Sequence, residues 1–96
     1  MLILITYDVS TQTAEGRRRL QRVAKYCVSH GIRVQNSVFE CVLNTTQLTE
    51  ARHALEALID PAQDSVRIYI LGERTARNVT HIGAKPCVDM EGILTI

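Results

Sequence analysis

Long apolar runs are missing from this chain. The first apolar stretch, Leu2-Ile3-Leu4-Ile5, stops at Thr6, Tyr7 and Asp8, far short of the roughly 20 residues that span a bilayer. No basic stretch precedes it, so neither a secretory leader nor membrane contact is expected, and the expected address is the cytoplasm. Cysteine is sparse: Cys27, Cys41 and Cys87 are an odd number without Cys-x-x-Cys spacing, which argues against a disulfide framework. His30, His53 and His81 are scattered without the spacing of zinc ligands. No glycine-rich phosphate loop occurs. Disorder and collagen-like repeats are excluded by an ordinary balance of 46% hydrophobic and 22% charged residues.

What is present fits one domain. The chain has 96 residues, too few for two cores when a domain usually takes about 100–150. Its net charge of +1 is uninformative, but its distribution is not. Residues 1–48 hold six Lys/Arg against three Asp/Glu, a net of +3, while residues 49–96 carry a net of −2. Five of the basic residues fall close together, at Arg17, Arg18, Arg19, Arg22 and Lys25, with no acid between them. Such a cluster is either a solvated helix face or a footprint for a phosphate backbone.

Periodicity divides the chain into alternating elements. Residues 1–9 read as a strand with Leu2 and Leu4 on one face and Ile3, Ile5 and Tyr7 on the other. Apolar residues on both faces mark it as central. After a polar loop in which Thr13 is the best-placed N-cap, residues 14–29 read as a helix. Its stripe is Leu20, Val23, Ala24, Cys27 and Val28, with Arg18, Arg22 and Lys25 opposite and Arg17 on the flank. Gly31 ends it as a C-terminal glycine. Residues 32–43 read as two short strands broken at Gln35-Asn36-Ser37, with Phe39, Cys41 and Leu43 on one face. Asn44, Thr45 and Thr46 offer caps for a second helix, whose stripe is Leu48, Ala51, Ala54, Leu55, Leu58 and Ile59 and which Pro61 stops. Residues 65–71 are a strand, and residues 79–84 offer one more short strand. Cys27 and Cys41 lie on apolar faces and read as core; Cys87 lies in the tail, with no role assigned.

This order predicts an α+β, ferredoxin-like βαββαβ sandwich over residues 1–84, with an extra short C-terminal strand and a tail over 85–96. Two helices cover one sheet face only, yet the central strands are apolar on both. The simplest cover is a second copy, giving a back-to-back homodimer. The tail, ending in Ile93-Leu94-Thr95-Ile96, either adds a strand to the partner's sheet edge or pairs within its own subunit.

Chemistry points first to Asp8, at the carboxyl end of the central strand beside Tyr7. Asp is a poor strand residue, so its carboxylate either caps the following loop or binds a hard cation. One Asp holds Mg²⁺ poorly, but a two-fold axis nearby would supply two, able to share an ion that acts on a phosphodiester. Arg17 either reaches a phosphate near Asp8 or pairs with Asp8 itself. Arg33 either contacts a phosphate or is simply solvated, and Phe39 is either core or a stacking platform for a base.

Residues 5–9 (ITYDV), the run Arg17-Arg18-Arg19 and residues 31–40 (GIRVQNSVFE) together resemble the small CRISPR-associated endoribonuclease family, the second of the two universal adaptation proteins of CRISPR systems. The segment Gly-x-Arg-x-Gln-x-Ser-Val-Phe-Glu is the specific part; a strand ending in Asp is common. The resemblance implies a ferredoxin-like homodimer in which Asp8 is the catalytic and metal residue, with Mg²⁺ shared near the dimer axis. It implies an endonuclease acting on RNA or DNA, with Arg17, Arg18, Arg19, Arg22, Lys25 and Arg33 as nucleic-acid contacts and Tyr7 and Phe39 beside the site. It also implies a partnership with the CRISPR integrase subunit in spacer acquisition for antiviral defence. The alternative within the family is a non-catalytic DNA-clamping adaptor dimer that bridges integrase subunits. A plain ferredoxin-like module for a small effector is a third reading, but it leaves the arginine cluster unexplained.

Overall fold

The structure of the chain, a computed structural model, describes residues 1–73 and 79–83. Strand β1 (Leu2–Asp8) alternates as its sequence requires: Ile3, Ile5 and Tyr7 enter the core, and Leu4, Thr6 and Asp8 take the opposite face. Helix α1 (Ala14–His30) starts at Thr13, whose hydroxyl accepts the Gly16 N–H at 3.0 Å. Strands β2 (Ile32–Gln35) and β3 (Val38–Val42) form the expected hairpin about Asn36 and Ser37. Helix α2 (Thr45–Leu58) opens with a reciprocal cap, in which Asn44 and Gln47 each take the other's backbone N–H. It ends before Pro61, and β4 (Ser65–Gly72) closes the sheet. The strand order is β2-β3-β1-β4, every pair antiparallel.

Both helices pack on the Ile3/Ile5 face. Val23 and Cys27 of α1 and Ala51 and Leu55 of α2 meet Phe39, Cys41 and the β1 residues in one cluster. Burying each large side chain there contributes about 1.5–3 kcal/mol. Burial pushes the Cys27 thiol up to about 11 and Cys41 up to about 12, so both stay neutral core residues, as expected.

The structure corrects three expectations. Val28 is 57% exposed rather than buried, while Arg19 and Tyr26 turn inward. The packed face of α1 is centred on Gly16, Val23 and Cys27; at 100° per residue Val28 lies about 120° from that centre and Arg19 about 60°. Gly31 ends α1 as expected, in extended backbone at φ −160°. Glycine is needed there for closeness: a Cβ would lie 2.5 Å from Cys41 Sγ and from the Glu40 carbonyl. Residues 79–83 form no strand; Ala84, Cys87 and the tail lie outside the described residues. The helix-free face is also more mixed than expected, since Thr6, Glu40 and Arg67 alternate with Leu4, Val38 and Val42 along it.

No helix among the described residues is long and apolar enough to cross a membrane.

Candidate functional site

Asp8 stands where β1 leaves the sheet, opposite Ser65 of β4 and on the helix-free face. It is exposed, and among the described residues its carboxylate takes part in no hydrogen bond or ion pair. It therefore caps nothing. The donors it was a candidate to satisfy are taken by others: Thr13 serves Gly16, and Asp64 accepts the Ser10 N–H at 3.0 Å. A solvated, unshared carboxylate at a strand end is a hard oxygen donor free to meet a cation.

Tyr7 holds the corner from the hairpin side. Its N–H donates to the Ser37 carbonyl at 3.1 Å and its hydroxyl to the Asn36 carbonyl at 3.3 Å. Its ring stacks on Phe39, centroids 6.0 Å apart. Phe39 is 0% exposed, so it is core, and no base can stack on it. Arg33 sits opposite Phe39 across β2 and β3, its guanidinium carbon 5.0 Å from the ring centroid, a cation–π contact.

The arginine cluster divides in the structure. Arg18, Arg22 and Lys25 are exposed on the outward side of α1. The side chains of Arg22 and Lys25 make no hydrogen bond or ion pair among the described residues, whereas Arg18 pairs with Glu15 at 2.5 Å. That guanidinium holds the Glu15 carboxyl below its ordinary range. Arg17 is exposed and donates to the Thr11 carbonyl at 3.2 Å; the alternative pairing with Asp8 is not formed. Arg19 departs from the outward set. Its Nε donates to Asp64 Oδ2 at 2.7 Å, and the side chain is only 13% exposed.

Two features escaped the sequence. Asp64 is wholly buried yet fully satisfied: Oδ1 accepts the Ser10 N–H at 3.0 Å, and Oδ2 accepts Arg19 Nε at 2.7 Å and the Asp60 N–H at 2.9 Å. Arg19 holds its carboxyl below the ordinary range, and the two backbone donors act in the same direction. The chain carries no local sign of this, because the pair spans 45 residues. The second feature is Arg67, which pairs with Thr6 across the sheet and so shares the Asp8 face. Its guanidinium donates to the Tyr69 hydroxyl at 3.2 Å. Here a signal existed, since alternation in β4 puts Arg67 and Tyr69 opposite Val66, Ile68 and Ile70.

Among the described residues, no group of three or more His, Cys, Asp or Glu side chains is placed to hold a metal. Among the described residues the candidate ligand is the single carboxylate of Asp8, at the end of β1 on the face opposite the helices.

A four-stranded antiparallel sheet in the order β2-β3-β1-β4, with two helices on one face, defines a ferredoxin-like domain; its distinguishing mark is a free acid at the end of the central strand. The family model described as CRISPR associated protein Cas2 matches residues 1–79. The chain belongs to that family. It is 55% identical over 91 residues to the CRISPR-associated endonuclease Cas2 of Halalkalibacterium halodurans, covering 95% of each chain. It is 52% identical to a CRISPR-associated endoribonuclease Cas2 of Rhodospirillum rubrum over 99% of this chain and 100% of the relative. The crystal structure of Streptococcus pyogenes Cas2 at pH 6.5 superimposes with a TM-score of 0.74 at 48% identity, covering 86% of this chain and 100% of that one.

Proposed function

We propose that the protein is a metal-dependent endonuclease of CRISPR spacer acquisition, cutting RNA or DNA phosphodiesters as a homodimer. The observation that carries this reading is Asp8: an exposed, unshared carboxylate at the end of the central strand, on the face the helices leave open. The relatives named as endonuclease and endoribonuclease support it. Asp8 fits Mg²⁺ in donor chemistry but supplies half a site. Two copies joined across the helix-free face would bring two such carboxylates to one ion. Mg²⁺ held there would supply positive charge to a phosphodiester and activate water for hydrolysis.

The remaining residues bind and orient. Arg17, Arg22 and Lys25 present charge to the backbone of a nucleic acid, and Arg18 does so in competition with Glu15. Arg33 lies at the sheet edge, anchored over Phe39, where it meets phosphate without moving far. Arg19 is spoken for by Asp64 and is left out of the contact set.

The outer edge of β4 supports the dimer. An open apolar groove of about 410 Å³ lies between α2 and β4, lined by Leu48, Leu55, Ile59, Val66, Ile68 and Ile70. In the proposed dimer the tail of the partner takes this edge as an added strand. The CRISPR integrase subunit is the further partner in this reading.

Cleavage by wild type and Asp8→Asn, purified side by side with and without Mg²⁺, tests the function. Wild type should cut in a Mg²⁺-dependent way and Asp8→Asn should not, while both bind nucleic acid equally. Cleavage that survives in Asp8→Asn would place the chemistry elsewhere. Equal binding with no cleavage by either protein would instead favour the DNA-clamping adaptor.

A further inference from the structure

The corner that carries Asp8 is held by a carboxylate in the turn just before β4. Ser10, two residues beyond Asp8, is fixed from both sides: its N–H donates to Asp64 Oδ1 at 3.0 Å, and its carbonyl packs against Gly16 so closely that no Cβ fits there. Asp64 in turn immediately precedes Ser65, the residue paired with Asp8 across the sheet. Through Arg19 the same carboxylate reaches α1, and through the Asp60 N–H it fixes the turn that follows α2. Three segments thus converge on one buried side chain directly behind Asp8. The Asp8 side chain, by contrast, has no hydrogen bond of its own among the described residues to hold it in place.

We infer that Asp64 is the positioning residue for Asp8, setting where the end of β1 projects on the helix-free face and so how well Asp8 binds a divalent cation. The inference rests on the reading of Asp8 as the metal residue. Its physical basis is that both Asp64 oxygens accept. An amide in its place has one acceptor oxygen, so its NH₂ must face either Ser10 or the Arg19 and Asp60 donors. Side chains that orient a metal-binding group behind the ligand typically change metal affinity by about 10–100-fold when altered.

Mn²⁺ binding, followed by loss of the free-ion electron paramagnetic resonance signal, tests this without reference to activity. Wild type, Asp8→Asn, Asp64→Asn and Arg19→Gln are titrated as the full chain, with circular dichroism and sedimentation to establish that each is folded and equally associated. Asp64→Asn should bind Mn²⁺ about tenfold more weakly. The Mn²⁺ needed for half-maximal cleavage should rise by the same factor; a purely structural role would lower the active fraction and leave that midpoint alone. Arg19→Gln leaves the Ser10 bond in place and should shift the affinity the same way by a smaller factor. Folded Asp64→Asn with wild-type affinity overturns the inference, as does wild-type affinity in Arg19→Gln where Asp64→Asn does not fold. Wild-type binding by Asp8→Asn has a different meaning: it removes Asp8 as the metal residue, and the inference falls with that reading.

Discussion

The two ends of β4 are finished to different degrees. At its start, beside Ser65, the buried Asp64 carboxylate gathers Ser10, Arg19 and Asp60, and no buried side-chain polar atom among the described residues lacks a partner. At its far end Ile70 is 59% exposed, Tyr69 and Leu71 are exposed too, and the groove against α2 stands open. The first end is complete within one chain, which suits it to hold Asp8 in a fixed place. The second is apolar surface that a second chain would cover, which suits it to assembly. One strand thus links the proposed site at one end to the proposed association at the other.

The comparison breaks most severely at the finished end. In Asp64→Ala the partly buried Ser10 and Asp60 amides lose their acceptor, and each donor left so costs up to about 1–3 kcal/mol. Denaturant unfolding should therefore show a loss of several kcal/mol. Acid acts at the same place. The Asp64 carboxyl titrates below its ordinary range in the folded chain because Arg19 and two amides favour its charged form. Its stabilisation is accordingly full above the unfolded value of about 3.9 and is lost as pH falls from there through the folded value. Urea midpoints measured from pH 6 to pH 2 should decline less steeply with acid in Asp64→Ala than in wild type.

At the open end the outcome reverses. Ile70→Ser should change subunit stability by no more than about 0.5 kcal/mol, as exposed sites do, yet weaken association of the subunits measured by sedimentation. A large loss of subunit stability with unchanged association would mean that the groove is filled from within its own chain.

The smallest effect belongs to α1, away from both ends. Neutralising Arg18, Arg22 and Lys25 should lower the log–log salt slope for duplex DNA by about 3–5 in a dimer, at about 0.9 per phosphate contact. The Glu15 pairing makes the Arg18 share the least. An unchanged slope would reduce the cluster to a solvated face.

Most of the fold was legible because it is written in local patterns. Alternation in residues 2–8 put Ile3, Ile5 and Tyr7 on one shared face, Asn36-Ser37 marked the hairpin, and Thr13 and Asn44 marked the helix starts. The failures share a cause: they depend on what lies across space. Which flank of α1 turns inward is set by the sheet beneath it, so Val28 is left exposed and Arg19 turns inward. Gly31 is small because Cys41 and Glu40 approach it, a fact held ten residues downstream. Asp8 was visible as a misfit in a strand, whereas Asp64 looked like any acid in a turn. Its burial exists only once β1, α1 and β4 have met.

The central claim is that two Asp8 carboxylates share one ion, and the count of bound metal tests it most directly. Mn²⁺ titrated into the wild-type protein should saturate Asp8-dependent binding at one ion for every two chains, with that binding absent from Asp8→Asn. One Asp8-dependent ion per chain, or the same binding in Asp8→Asn as in wild type, would contradict it.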